Sequence, residues 1–161
     1  MPDLITHIAA THLIVKLPSI FRDRILNYYN NYKSFIFLGA IFPDLISKPF
    51  QYISPKLYNF SLPLHSPFVV LITAYILTRF IYIQNKNTSF YTIAIFSIFH
   101  ILLDNLQKGL NPGYQIFFPF SLKRYGLNLI SSEIYIYIML GLLSFSFIVE
   151  VYFYYRKKIA N

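Results

Sequence analysis

The chain has 161 residues, of which 56% are hydrophobic and only 12% charged, with a mean hydropathy of +0.50. A soluble domain carries about 25% charged residues, so this composition excludes an ordinary soluble domain and implies a surface that partly faces lipid. The absence of cysteine excludes disulfides and thiolate metal sites, and the net charge of +8 is dispersed through short polar connections, which argues against a nucleic-acid partner and for anionic lipid headgroups.

The length predicts a single domain over residues 1–161. Its N-terminus, Met-Pro-Asp-Leu-Ile-Thr-His7, has no basic region ahead of an apolar core, so insertion is expected to use internal segments. Asp3 is placed to cap a helix from Leu4 to Lys16, which Pro18 ends. His7 and His12 lie on that helix about 140° apart around its axis, so they are not expected to share a site. Asp3 is also placed one turn before His7, where it can accept the ring N–H. A polar, Tyr- and Asn-rich segment covers Arg22 to Tyr32.

Phe35 to Ile46 is apolar but only about 12 residues long, where a span needs about 20. Pro43 is expected to end or bend that helix and to present Asp44 there. Residues 47–64 carry Pro49, Pro55 and Pro63 and read as a loop that delivers His65-Ser66-Pro67. Phe68 to Ile83 is a marginal span interrupted by Arg79, followed by a polar turn from Gln84 to Ser89. Phe90 to Leu106 reads as a helix, residues 107–125 as a Gly- and Pro-marked loop, and Ile134 to Tyr155 as a span interrupted only by Glu150. The basic cluster Arg156-Lys157-Lys158 favours a cytoplasmic C-terminus.

His100 and Asp104 stand four residues apart in the apolar run from Phe90 to Asp104, which puts both on one helical face. Burying an imidazole and a carboxylate among Ile, Leu and Phe is costly without a partner, and a divalent metal is a suitable one. His7, Asp44 and His65 lie in similarly apolar or Pro-bounded settings. Each also has a plainer reading: His7 as a capping-region residue, Asp44 as a turn residue, His65 as a loop residue, and His100/Asp104 as a hydrogen-bonded pair. His12 is assigned no role in the site, and Glu150 and Arg79 are read as structural or snorkelling residues.

In order along the chain stand Thr6-His7, Gly39-Ala-Ile-Phe-Pro-Asp44, His65-Ser66, His100-Ile-Leu-Leu-Asp104 and Phe118-Pro-Phe-Ser121. This order resembles the family of membrane-bound metal-dependent hydrolases that includes a LexA-binding inner-membrane protein. The resemblance covers about residues 1–121. That family in turn looks like a reduced, membrane-embedded relative of zinc-dependent phospholipase C. The resemblance implies an all-α, partly membrane-embedded bundle in a multi-pass protein of the cell inner membrane. It implies His7, Asp44, His65, His100 and Asp104 as ligands of one or two divalent ions, Zn²⁺ first among them. Asp104 would bridge the ions, and Asp44 would be a ligand and base. The implied reaction is hydrolysis of a phosphoester, with a lipid as one candidate; a protein partner is left open.

Two departures stand out. Leu45-Ile46-Ser47 replaces a second acidic residue, and Asn59-Phe60-Ser61-Leu62 replaces a His-Arg pair. No histidine follows His100, so a trinuclear centre is not expected. The competing reading is a non-enzymatic membrane protein whose His and Asp residues form a structural metal site or an ion or proton path.

Overall fold

The structure is a computed structural model that describes residues 4–81, 83, 85–108 and 113–160. It is all-helical. The main elements are α1 (Leu4–Lys16), α2 (Asp23–Ile53), α3 (Tyr58–Leu64), α4 (Pro67–Phe80), α5 (Lys86–Leu106) and α6 (Ser132–Ala160), with single 3₁₀ turns at Pro18–Ile20 and Pro55–Leu57. No strand occurs among the described residues, only two isolated bridges, Gln107 with Ile130 and Tyr114 with Tyr125.

α1 has the bounds its sequence predicts; the proposed Asp3 cap lies outside the described residues. The reading of residues 22–64 needs correction. Arg22–Tyr32 and Phe35–Ile46 are not separate segments, and 47–64 is not a loop. One 31-residue helix, α2, runs through both Pro43 and Pro49, and the rest of the stretch is helical as well. Pro43 lacks the N–H that would pair with the carbonyl of Gly39. That carbonyl is instead satisfied from α5, whose Ser97 hydroxyl donates to it at 3.2 Å. A tertiary donor thus replaces the missing helical one, and the helix continues.

This contact depends on close approach of α2 to α5. A Cβ on Gly39 would lie 2.8 Å from both the Ile93 carbonyl oxygen and the Phe96 Cβ, so only glycine fits there without a shift. Small residues that let helix backbones meet are how helices associate where lipid supplies little hydrophobic drive. Around the crossing, Phe42, Val70, Ala74, Ile93 and Ile101 pack between α2, α4 and α5, and Val15, Tyr29, Ile36 and Phe96 pack between α1, α2 and α5.

Two helices are long and apolar enough to cross a membrane, α5 and the stretch Glu133–Arg156 of α6; α3 and α4, bent by 70° at their junction, form a third span if taken as one. The expected span from Phe68 to Ile83 is therefore shorter than read, because α4 ends at Phe80. α5 begins at Lys86, inside what reads as a polar turn. The bend between α3 and α4 has a local cause. Ser66 adopts an extended backbone, caps α4 by accepting from the Val69 N–H, and is followed by Pro67, which suits the first helical position.

Candidate metal centre

The α2–α5 crossing places a reactive cluster just beyond its tightest point. One turn past Ser97, His100 donates its Nδ1–H to the carbonyl of Ala40 at 2.6 Å. That bond fixes the tautomer and leaves a lone pair on Nε2. This nitrogen is buried and has no hydrogen-bond partner. It faces Asp104 Oδ2 at 3.5 Å and Asp44 Oδ1 at 3.7 Å. A lone pair aimed at two carboxylates is repulsive unless a proton or a metal cation lies between them.

His65, at the α3–α4 junction, repeats the arrangement. The Ser47 hydroxyl donates to the carbonyl of Pro43 at 2.8 Å, so it accepts from His65 Nδ1 at 3.2 Å. His65 Nε2 then meets Asp104 Oδ2 at 2.8 Å. From α1, His7 Nε2 reaches the other oxygen of Asp104 at 3.1 Å, and its ring stacks on that of His100 with centroids 3.8 Å apart. All five residues are buried, and His7 and His100 are 0% exposed.

One ligand atom from each of Asp44, His65, His100 and Asp104 lies within 4.8 Å of the others. Tetrahedral ligands at about 2.0–2.2 Å from a zinc ion sit roughly 3.3–3.6 Å apart, so small side-chain rotations close the difference. The donor set is nitrogen and oxygen only, and it carries an orphaned buried imidazole lone pair. These residues fit a divalent ion.

Electrostatics follow the same geometry. Burial, opposed by the bond to Asp104, holds His7 below the ordinary histidine range. Burial alone would raise Asp44; its proximity to His100 and its ion pair with Lys48 outweigh it and hold the carboxyl below its usual range. Both directions favour the forms that bind metal.

Three neighbours were not singled out from sequence. Lys48, one turn after Asp44 on α2, forms an ion pair with Asp44 Oδ2. Ser47 orients His65. Tyr114 stacks on His65 with ring centroids 4.8 Å apart. Burial, followed by the charge of Asp104, pushes the Tyr114 phenol above its ordinary range. The segment carrying Tyr114 is pinned by reciprocal backbone bonds with Tyr125 and by Gly113, whose φ of +101° and close approach to Tyr125 exclude a side chain. The following segment seals the end of α5: the N–H groups of Leu127 and Asn128 donate to the Asn105 carbonyl, and those of Leu129 and Ile130 to the Leu106 carbonyl. Ser47 and Lys48 were readable at i, i+4 spacing had the helix been carried through the prolines. Tyr114 had no local signal.

His12, expected to stand apart, does so. Its Nδ1 bonds the Tyr29 hydroxyl at 3.1 Å, and its Nε2 lies 3.3 Å from Glu150 of α6. Lys16 donates to the same Glu150 at 2.9 Å.

A buried His/Asp cluster able to hold a metal ion, on a bundle with membrane-length helices, defines a helical membrane protein with a candidate metal centre. The chain belongs to the YdjM inner membrane protein family, whose model matches residues 1–159. Among curated proteins and among solved structures no significant match was found.

Proposed function

We propose that this protein is a multi-pass inner-membrane hydrolase that uses a divalent ion, with Zn²⁺ favoured, to cleave a phosphoester, a membrane lipid being one candidate substrate. The observation that carries the reading is the pair of imidazole lone pairs, His65 Nε2 and His100 Nε2, set against carboxylate oxygens in a buried site. Five buried His and Asp side chains without a cation would be a costly arrangement.

In this reading His7, Asp44, His65, His100 and Asp104 hold the metal. Asp104 supports a bridging role, since His7 faces one of its oxygens and His65 and His100 the other. A bound ion would lower the pKa of a water and polarise the scissile phosphoryl oxygen. The chain's own groups do the rest. The Ala40 carbonyl and Ser47 hydroxyl keep His100 and His65 in the tautomers that bind metal. Asp44 turns Oδ1 towards the site, where it would either hold the ion or take a proton from the attacking water, while Lys48 pairs with Oδ2. Tyr114 covers the outer side of His65 and limits water there. Asp104 lies in the last turn of α5, which suits a site opening at the membrane–water boundary, where a lipid headgroup resides.

The deep burial of the cluster gives some support to a second reading, a closed structural metal site. Detergent-purified protein, analysed for metal and assayed on aryl phosphomonoesters, diesters and carboxyl esters, separates the two. Metal-dependent turnover of a phosphoester supports the hydrolase. Stoichiometric metal without turnover on any of them supports the structural site.

A further inference from the structure

We infer that Lys48 selects for anionic substrate at this centre by binding a non-bridging phosphoryl oxygen. The inference rests on the hydrolase reading and names what decides its substrate class.

Charge is the first consideration. The cluster contains two carboxylates, Asp44 and Asp104, so a single divalent ion brings it only to neutrality. A centre that is neutral overall attracts a phosphoester anion less strongly than one with net positive charge. Lys48 makes it net positive. The other cations with charged or polar side-chain partners are held elsewhere, Lys16 on Glu150, Arg79 on Asn87, Arg124 on Asn59 and Arg156 on Asp23.

Position is the second. Asp44 divides its carboxylate: Oδ1 faces His100 and His65, whereas Oδ2 faces Lys48. Lys48 therefore lies on the outer side of the carboxylate. Its side chain is 21% exposed, against 6% for Asp44 and 2% for Asp104, so it is the group at this centre that an incoming ligand meets. An ammonium has three N–H donors. One is committed to Asp44, and two remain for an anion. As a compact point charge on a flexible stem, lysine suits phosphate without demanding a bidentate fit. Its α-carbon is fixed one helical turn from Asp44, so substrate contact and metal ligation are built on the same rigid segment, α2.

The test uses full-length, zinc-loaded protein in detergent and measures binding of inorganic phosphate by titration calorimetry, alongside KM and kcat for an aryl phosphate and zinc content. Lys48→Met should keep its zinc and bind phosphate roughly 10–100-fold more weakly, the equivalent of one charge-assisted hydrogen bond. KM should rise with it and kcat change less. Lys48→Arg, which keeps the charge, should recover most of the binding. Unchanged phosphate affinity in Lys48→Met would overturn the inference, and so would loss of zinc from both variants, which would make Lys48 a structural partner of Asp44. Wild-type protein that binds zinc but no phosphate refutes this inference and leaves the metal centre standing. Wild-type protein that binds no zinc refutes the centre itself, and the selection by Lys48 with it.

Discussion

α5 and α6 are both long and apolar enough to cross a membrane, yet 56% of the apolar stretch of α5 is buried inside the protein against 6% of that of α6. α5 is the inner helix. Its polar residues Ser97, His100, Asp104 and Asn105 are all buried, and each is met by another group of the bundle or by its own helix. α6 is the outer helix. It shows Ile136, Tyr137, Phe147 and Ile148 outward, and Val149 is its one buried large apolar side chain among the described residues. Its main polar tie is Glu150, which meets Lys16 and His12 of α1. Both helices have membrane-spanning length, although α6 is the more apolar, with a mean hydropathy of 2.1 against 1.4. The difference lies in the polar residues: α5 carries a buried, periodic set, whereas α6 is tied to α1 chiefly through Glu150.

The largest effect should come from the inner helix. Asp104→Ala deprives His7, His65 and His100 of their shared carboxylate. Metal-dependent hydrolysis should fall by several orders of magnitude, because the ion supplies both the activated water and the charge stabilisation. The reference variant is His12→Ala, on the far face of α1, which should hydrolyse like wild type. Equal losses in the two variants would break the distinction between centre and fastening.

Next is the crossing that supports the centre. Gly39→Ala forces the added methyl against the Ile93 carbonyl and Phe96. Overpacking of this kind costs about 1–3 kcal/mol, read as a lowered melting temperature in detergent, and it should weaken metal retention because Ala40 and His100 move with it. A wild-type melting curve in Gly39→Ala would show that α2 and α5 do not meet this closely.

The outer helix should respond less. Glu150→Leu leaves the buried Lys16 ammonium without its half-exposed carboxylate and should cost about 1 kcal/mol, with metal content unchanged. Ile148→Ala, on the exposed face, should have almost no effect on the melting temperature. Cysteines placed singly at Lys123 and Lys158, in a chain with none of its own, should label from opposite sides of intact vesicles if α6 crosses. Labelling from one side would remove α6 as a span.

The smallest effect concerns pH. Burial, opposed by Glu150, lowers the pKa of His12 from its ordinary value of 6.5. The unfolded chain then binds the proton more readily than the folded one. The contribution of neutral His12 is complete above pH 6.5 and is lost as pH falls from there towards the lowered folded value. His12→Gln should therefore lose less stability than wild type between about pH 7.5 and 5.5.

The helical class, α1, the long apolar helices α5 and α6, and the separation of His12 from His7 were legible in the sequence. Each rests on local periodicity or on an uninterrupted apolar run. The resemblance implies a shared site for His7, Asp44, His65, His100 and Asp104; the last four lie together in the structure, and His7 adjoins them through Asp104. Residues 47–64 are not legible as helix from local pattern, because proline ordinarily ends one. The Ser97 hydroxyl that satisfies the Gly39 carbonyl lies 58 positions away, where no local rule can see it. Ser47 and Lys48 are hidden for the same reason, since their i, i+4 relations exist only if the helix continues. Tyr114 reaches His65 through a loop path that spacing does not encode.

The central claim is that the buried cluster is a metal centre. Its most direct test is the metal content per chain of the detergent-purified wild type beside Asp104→Ala, by mass spectrometry after dialysis against metal-free buffer. About one to two divalent ions per wild-type chain are expected, with near-complete loss in a folded Asp104→Ala protein. A folded wild type that retains no ion, or equal retention in both proteins, would contradict the account.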